Sequence, residues 1–154
     1  MKTNLLIAIA ASGLLFAGTS SAQEKKIKRS DLPPAVEKTV AAQSAGATIK
    51  GFSTEKENGQ TIYEAEMTVN GHSKDISMAA DGSIVEIEEQ VALDSLSQDV
   101  KAGLQAQAGK GTILKVDSLT KKGKLVAYEA KVDTNGKKSE VQVGPDGKPL
   151  DHEE

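Results

Sequence analysis

The sequence predicts an α+β fold of two tandem repeats, each a helix packed on an antiparallel β-meander. The first observation behind this is Gln60 to Val69, where Tyr63, Ala65, Met67 and Val69 alternate with Glu64, Glu66 and Thr68. Alternation at period two describes a strand with one face buried and one in water. The second is an echo in the other half of the chain, where Tyr128, Ala130 and Val132 alternate with Glu129, Lys131 and Asp133. The third is a set of Asn-Gly and Asp-Gly turn signals at matching places in both halves. The expected layout is a leader (1–22), a basic arm (23–30), repeats over 31–90 and 91–150, and a tail (151–154).

The leader has a positive start at Lys2, an apolar run from Leu5 to Gly18, and small residues Ser20-Ser21-Ala22 before a cleavage point near Ala22. The run is short for a membrane span, and charged residues follow it directly, so no span is expected after cleavage. An uncleaved N-terminal anchor is the alternative. The chain contains no cysteine, which excludes disulfides, thiol catalysis and a lipid-modified N-terminal Cys. A periplasmic or secreted mature chain follows. It has 18 basic residues, the chain's 19 less Lys2, against 22 acidic ones, a balance that argues against nucleic acid as a partner. Its aromatic residues are Phe52, Tyr63 and Tyr128, so the core must be built on aliphatic side chains. One repeat of about 60 residues would bury only ~60% of its unfolded surface, so the two are expected to pack as one body.

Lys25-Lys26-Ile27-Lys28-Arg29 reads as a solvated arm, or as an electrostatic contact with an anionic envelope surface. Ser30 to Pro34 opens a helix, with Ser30 or Asp31 as cap and the prolines in its first turn. Leu32, Val36 and Val40 form its apolar stripe, and Gly46 is a stop. Ala47 to Thr54 is a strand in which Ile49 and Phe52 do not share a face under strict alternation, which predicts a bulge or a short strand. Asn58-Gly59, Asn70-Gly71 and Asp81-Gly82 then divide three further strands: Gln60–Val69, His72–Met78 and Ile84–Ile87.

The second half repeats this order, with Leu96, Val100 and Leu104 spaced as Leu32, Val36 and Val40 are. Gly111-Thr112-Ile113 matches Ala47-Thr48-Ile49, Asn135-Gly136 matches Asn70-Gly71, and Asp146-Gly147 matches Asp81-Gly82. The boundary is expected near Glu88 to Ser95. Pro149 stands where the first repeat has a strand residue, so the last strand should be an edge or very short. Asp151 to Glu154 is expected to fray.

The segments LPPAVEKTV, ENGQTIYEAEMTVNG and ISMAADGSIVEIE resemble the PepSY-like group of exported bacterial domains, also described as β-lactamase-inhibitor-like. KKGKLVAYEAKVDTNGKKSEVQVGPDGK resembles a more diverged member. The resemblance implies a helix on one face of an antiparallel sheet, and a tandem pair that can join into one broad sheet. PepSY domains are regarded as restraining peptidases, and the β-lactamase inhibitor binds through its open sheet face. An exported, non-catalytic module that binds or restrains an envelope protein is therefore implied, by analogy of fold only. The chain departs from the inhibitor picture in lacking Trp and in having Arg29 as its single arginine, since tight interfaces are anchored by Trp, Tyr and Arg.

The face opposite the tyrosines is expected to carry Glu64, Glu66, Thr68, Asp75, Ser77, Glu86 and Glu88 from the first repeat. The second adds Glu129, Lys131, Asp133, Glu140 and Gln142. The plain reading is the solvated side of a sheet. The functional reading is an acidic platform for a partner protein, a basic peptide or a cation. The carboxylates alternate along strands with no sign of burial, so no raised pKa is expected of them. His72 and His152 stand in no nucleophile–base constellation, and no phosphate loop, zinc spacing or calcium loop is present. No enzyme, metal or cofactor is expected.

Overall fold

The computed structural model describes residues 24–152 and 154, so the leader lies outside the described residues. In chain order the elements are β1 (Lys25–Ile27), a 3-10 turn (Arg29–Asp31), α1 (Pro34–Gln43), β2 (Ala47–Glu57), β3 (Gln60–Val69), β4 (His72–Ala79) and β5 (Ile84–Val91). A second 3-10 turn (Leu93–Ser95), α2 (Gln98–Ala108), β6 (Thr112–Lys121), β7 (Lys124–Thr134) and β8 (Lys137–Val143) follow. The fold is α+β: one open antiparallel sheet of eight strands in chain order, with both helices on the same face.

Four two-residue turns build most of this meander. Asn58-Gly59, Asn70-Gly71, Lys122-Gly123 and Asn135-Gly136 all have both residues at positive φ, the backbone that matches the twist of flanking antiparallel strands. Strand alternation then sorts side chains by face. Val36 and Val40 of α1 pack with Phe52, Ala65, Met67, Ile76 and Met78, and Tyr63 lies against this cluster. Val100, Leu104 and Ala108 of α2 pack with Val116, Ala130, Val132 and Val143, and Tyr128 lies against that one. The expected bulge is present in β2, between Ile49 and Gly51. The extra residue restores phase, so that Ile49 and Phe52 both serve the core. A bulge in β6 between Ile113 and Lys115 falls at the equivalent place in the second half.

Several expectations are corrected. Lys25–Ile27 is an edge strand paired with β2 at Phe52 to Thr54, not a free arm. Ser30 and Asp31 do not cap α1: the Asp31 carboxylate accepts from the Lys28 amide at 3.0 Å, and α1 starts at Pro34 after Pro33. Leu32 and Leu96 precede their helices, so the helical stripes are Val36–Val40 and Val100–Leu104. Ser97 caps α2, its hydroxyl accepting from the Val100 amide. The segment expected as a boundary is instead strand as far as Val91, and Glu86–Val91 pairs with Val116–Lys121. This pairing makes one sheet of the two halves. Pro149 forms only a bridge to Val143, as its missing N–H requires. The tail does not simply fray, because the Glu154 amide donates to Gln142 Oε1 at 2.9 Å.

The Asp-Gly turns press on the helices. In the first half, Thr39 Oγ1 donates to the carbonyl of Gly82 at 2.7 Å. Gly103 is the counterpart of Thr39 in the second half, and a Cβ there would run into the carbonyl of Gly147. Gly147 sits at φ +78° against the carbonyl of Asp99. Replacing a helical glycine by alanine ordinarily stabilises by about 1 kcal/mol. Gly103→Ala should reverse that sign and destabilise by at least ~1 kcal/mol, because backbone must move. Denaturant unfolding of Gly103→Ala beside the parent chain checks this; a more stable variant would contradict the contact.

Candidate functional site

The face away from the helices is assembled by cross-strand register. Glu64, Ser77 and Glu86 lie in one row across β3, β4 and β5, with Ser53 at one end and Lys121 at the other. The next row runs Gly51, Glu66, Asp75, Glu88, Leu119 and Ala127. A third holds Thr68 and Ser73, then Gln90, Asp117, Glu129 and Gln142. The amide of Ser73 donates to Gln90 Oε1 at 3.2 Å, tying the two parts of this row together. Lys131, Asp133 and Glu140 stand apart at the β7–β8 end. Lys131 pairs with Glu140 at 3.3 Å, and Asp133 with Lys138 at 3.2 Å. Of the twelve residues singled out from sequence, these three belong to an ion-paired rim; the other nine share the three rows.

The centre of this face is not the wet surface that alternation suggests. Ser53 and Asp117 are each 1% exposed, Leu119 is 2% exposed, and Ala127 and Ile62 are buried. None of these five belongs to the helix-side clusters. No helix lies on this side; the neighbouring side chains of a twisted sheet surround these residues, and the C-terminal Glu154 reaches over the same face to Gln142 and Lys121. Asp117 was not legible as a site residue, because the bulge at Ile113/Lys115 shifts the alternation that would place it. The available signal was the 64-residue interval between matching sequence positions in the two halves, which sets Asp117 against Ser53.

Burial changes the chemistry of the carboxylates, contrary to the expectation of ordinary solvated groups. Desolvation pushes Glu88 up to about 8, and repulsion from Glu86, Glu129, Asp117 and Asp75 adds to it. Desolvation also raises Glu64, partly offset by the Ser53 hydroxyl, which donates to it at 3.1 Å. It raises Asp75 against the opposing charge of Lys115. Glu129 is raised by burial too, against a hydrogen bond from Gln142 Nε2 at 2.9 Å. By contrast, side-chain and backbone hydrogen bonds hold exposed Asp81 and Asp146 below the usual carboxylate range.

Lysines neutralise part of this charge. Lys121 pairs with Glu86 at 3.3 Å and with Glu154 at 3.6 Å. Lys115 Nζ stands 2.9 Å from Asp117 Oδ1. That contact supplies charge but is not aligned as a hydrogen bond, and both carboxylate oxygens of Asp117 lack a hydrogen-bond partner in the protein. Ser73 Oγ in the same row is likewise buried without one. Among the described residues, no three His, Asp or Glu side chains converge so as to hold a metal ion. Both histidines are exposed, His72 at a hairpin end and His152 in the tail. The arrangement concentrates carboxylates on a partly desolvated face.

A carboxyl whose folded pKa is raised binds more protons than it does unfolded. From about 4.5 to about 8 the Glu88 contribution therefore favours the fold most at the acid end and declines as pH rises. The raised Glu64, Asp75 and Glu129 carry the same sign. The depressed exposed aspartates act oppositely, below the ordinary carboxylate range. Thermal melting should show stability falling from about pH 5 to about pH 8.5, with Glu88→Gln flattening the fall. Parallel profiles for the two proteins would contradict the assigned burial of Glu88.

No family model and no curated protein matches this chain. Solved structures share its fold. One is a DUF2874 family protein from Bacteroides ovatus, with TM-score 0.60, 20% identity, and coverage of 77% of this chain and 84% of that one. Another is a protein from Bacteroides eggerthii described as periplasmic, with TM-score 0.63, 17% identity and coverage of 77% and 86%. A third is a BLIP-like protein from Bacteroides fragilis, with TM-score 0.56, 18% identity and coverage of 75% and 81%. At these identities the likeness is one of fold. Among the described residues no helix is long and apolar enough to cross a membrane.

Proposed function

We propose that this chain is an exported, non-catalytic binding module that holds or restrains an envelope protein, such as a peptidase, on its helix-free sheet face. The carrying observation is that face itself: a half-buried field of acidic side chains around a buried carboxylate, Asp117, which has the Lys115 ammonium beside it but no hydrogen bond from the protein. Native chains rarely bury a carboxylate without hydrogen bonds, because doing so costs several kcal/mol of lost hydration. A structural role alone is better served by a neutral residue of similar size. The fold shared with a periplasmic protein and a BLIP-like protein supports the same reading by analogy.

Residues 1–22 are a leader removed near Ala22, and the mature chain is periplasmic or secreted. Residues 31–90 and 91–150 are two PepSY-like repeats of one ancestral unit. Bulges, helix stripes and Asp-Gly turns that recur at a nearly constant interval support this. The face residues are Glu64, Glu66, Thr68, Asp75, Ser77, Glu86, Glu88, Glu129 and Gln142, with Lys131, Asp133 and Glu140 as the rim. A second reading, a binder of a small basic ligand or cation, is favoured by the same acidity.

Affinity capture from a periplasmic extract separates these. The wild-type chain should retain a protein that a Glu64→Lys, Glu129→Lys variant loses and a Lys38→Glu variant, altered on the exposed side of α1, keeps. Equal retention by all three would place the partner elsewhere. Mass spectrometry of the exported chain should give an N-terminus at Gln23; a retained leader would contradict export as a free protein.

A further inference from the structure

We infer that the outer edge of β8 is a dimer interface, on which β8 of a second copy pairs antiparallel, with Ser139 facing the partner's Ser139 across a two-fold axis. The inference stands apart from whatever the helix-free face binds.

The internal repeat locates the interface. In the first half, the turn after β4 is closed by the Ala79 amide donating to the Ser83 carbonyl at 2.9 Å, and it delivers β5 alongside β4. The second half builds the same turn after β8, where the Gly144 amide donates to the Lys148 carbonyl at 2.8 Å. The return then stops at one bridge, Val143 to Pro149, in the place of Met78 to Ile84. Proline cannot donate to a ladder. Beyond it the chain leaves the edge, and the Glu154 side chain reaches Lys121 on β6 at 3.6 Å. Among the described residues, no strand lies against the outer side of 137–142. Side chains register the difference: Ile76 on β4 is fully buried, while its counterpart Val141 is only partly so. An open cleft of about 330 Å3 runs beside Glu140, Val141 and Gln142, between Gln107 of α2 and Leu150.

The unpaired N–H and C=O groups of such an edge are a template for another strand. The Gly144 amide points outward, and alternation carries that phase back to Glu140 and Lys138, whose backbone groups then face the open side.

Charge selects the strand and its register. Centring an antiparallel β8 on Ser139 sets Lys138 opposite the partner's Glu140 and, by symmetry, Glu140 opposite the partner's Lys138. Opposite charges directly across strands attract, and like charges repel. Within one chain Glu140 already pairs with Lys131 at 3.3 Å, and Lys138 with Asp133 at 3.2 Å. The joined sheet therefore carries a continuous row of alternating sign: Lys131, Glu140, the partner's Lys138 and the partner's Asp133. Other registers lose this match. Centring on Glu140 opposes two glutamates and runs Lys137 into Val143, where Pro149 already holds the edge. Centring on Lys138 opposes two lysines. A shift by one residue sets helix-side residues against helix-free ones. Lys137 and Lys138 guard the edge against strands that carry no matching acid.

The other end of the sheet is a poorer partner. β1 pairs with β2 as β5 pairs with β6, Lys26 with Ser53 and Gln90 with Asp117, so β1 is the counterpart of β5. Docked on β8 in the β4–β5 register, β1 of a copy would set Glu24 against Glu140 and Lys26 against Lys138. The self-pair of β8 avoids both conflicts. Its axis stands perpendicular to the sheet, so both copies keep their helices on one side and their helix-free faces join into one surface.

The test is sedimentation equilibrium of the mature chain from micromolar to millimolar concentration, in which the parent should pass from monomer to dimer. Lys138→Glu and Glu140→Lys should each weaken association at least ~10-fold, because each sets two like-charged pairs across the axis. An equimolar mixture of the two should associate like the parent, since the mixed pair restores opposite charges at both contacts; that recovery also shows both variants folded. The chain has no cysteine, so Ser139→Cys introduces a lone thiol. Directly opposite residues have Cα atoms about 4.5–5.5 Å apart, within disulfide range. Oxidation should therefore join Ser139→Cys into a covalent dimer at least ~10-fold faster than Lys137→Cys, whose mates lie four residues apart along the strands. A parent that stays monomeric at millimolar concentration, a mixture no more associated than its components, or equal cross-linking of the two thiols would overturn the interface. A monomer whose Glu140 amide nonetheless exchanges slowly would assign the edge to the chain's own tail, and would overturn it equally.

Discussion

The antiparallel pairing of β5 with β6 is the constraint on which the molecule depends. Each half contributes a helix and a short meander, a unit small enough to be only marginally stable alone. Pairing Glu86–Val91 with Val116–Lys121 removes two sheet edges at once and continues one hydrogen-bonded sheet across the chain. It also brings Glu88 from one half beside Asp117 and Glu129 from the other. The grouping of Glu88 with Asp117 and Glu129 therefore belongs to neither half, and a separated half would lose it.

Two opposing requirements meet on this sheet. On the helix side, aliphatic side chains and two tyrosines close two small cores, with valines of each helix fully buried. On the other side no helix is available, yet Ser53, Ile62, Asp117, Leu119 and Ala127 are buried. Polar groups in that setting lose hydration without full compensation, which is why burial is the largest influence on Glu64, Asp75, Glu88 and Glu129. Where a partner exists within the protein, as Ser53 does for Glu64 or Gln142 for Glu129, the cost is reduced. Asp117 has charge compensation from Lys115 without hydrogen bonds, and it stands out for that reason.

Much of the fold was legible because its signals are local. Period-two alternation set the faces of β3 and β7, paired turn residues set the hairpins, and the mismatch of Ile49 and Phe52 announced the β2 bulge. The sharing of one sheet by both halves was implied by family resemblance rather than by local pattern. What failed depended on partners distant in sequence. Lys25–Ile27 looked like a charged arm because its partners on β2 lie on the far side of α1. Glu88 to Val91 looked like a boundary because their partners on β6 come only after α2. In the candidate site the acidic alternation was visible, while the burial of that face and the place of Asp117 were not. Burial there is a property of the coiled sheet as a whole, and a bulge hides the phase of β6.

The most direct measurement is a site-resolved carboxyl titration of Glu88 in the parent chain and in Asp117→Asn. If the junction strands place Glu88 in a desolvated row beside Asp117 and Glu129, it titrates near 8 in the parent and lower once the Asp117 charge is removed. A Glu88 that titrates close to 4.5 in both proteins would contradict the enclosed acidic row.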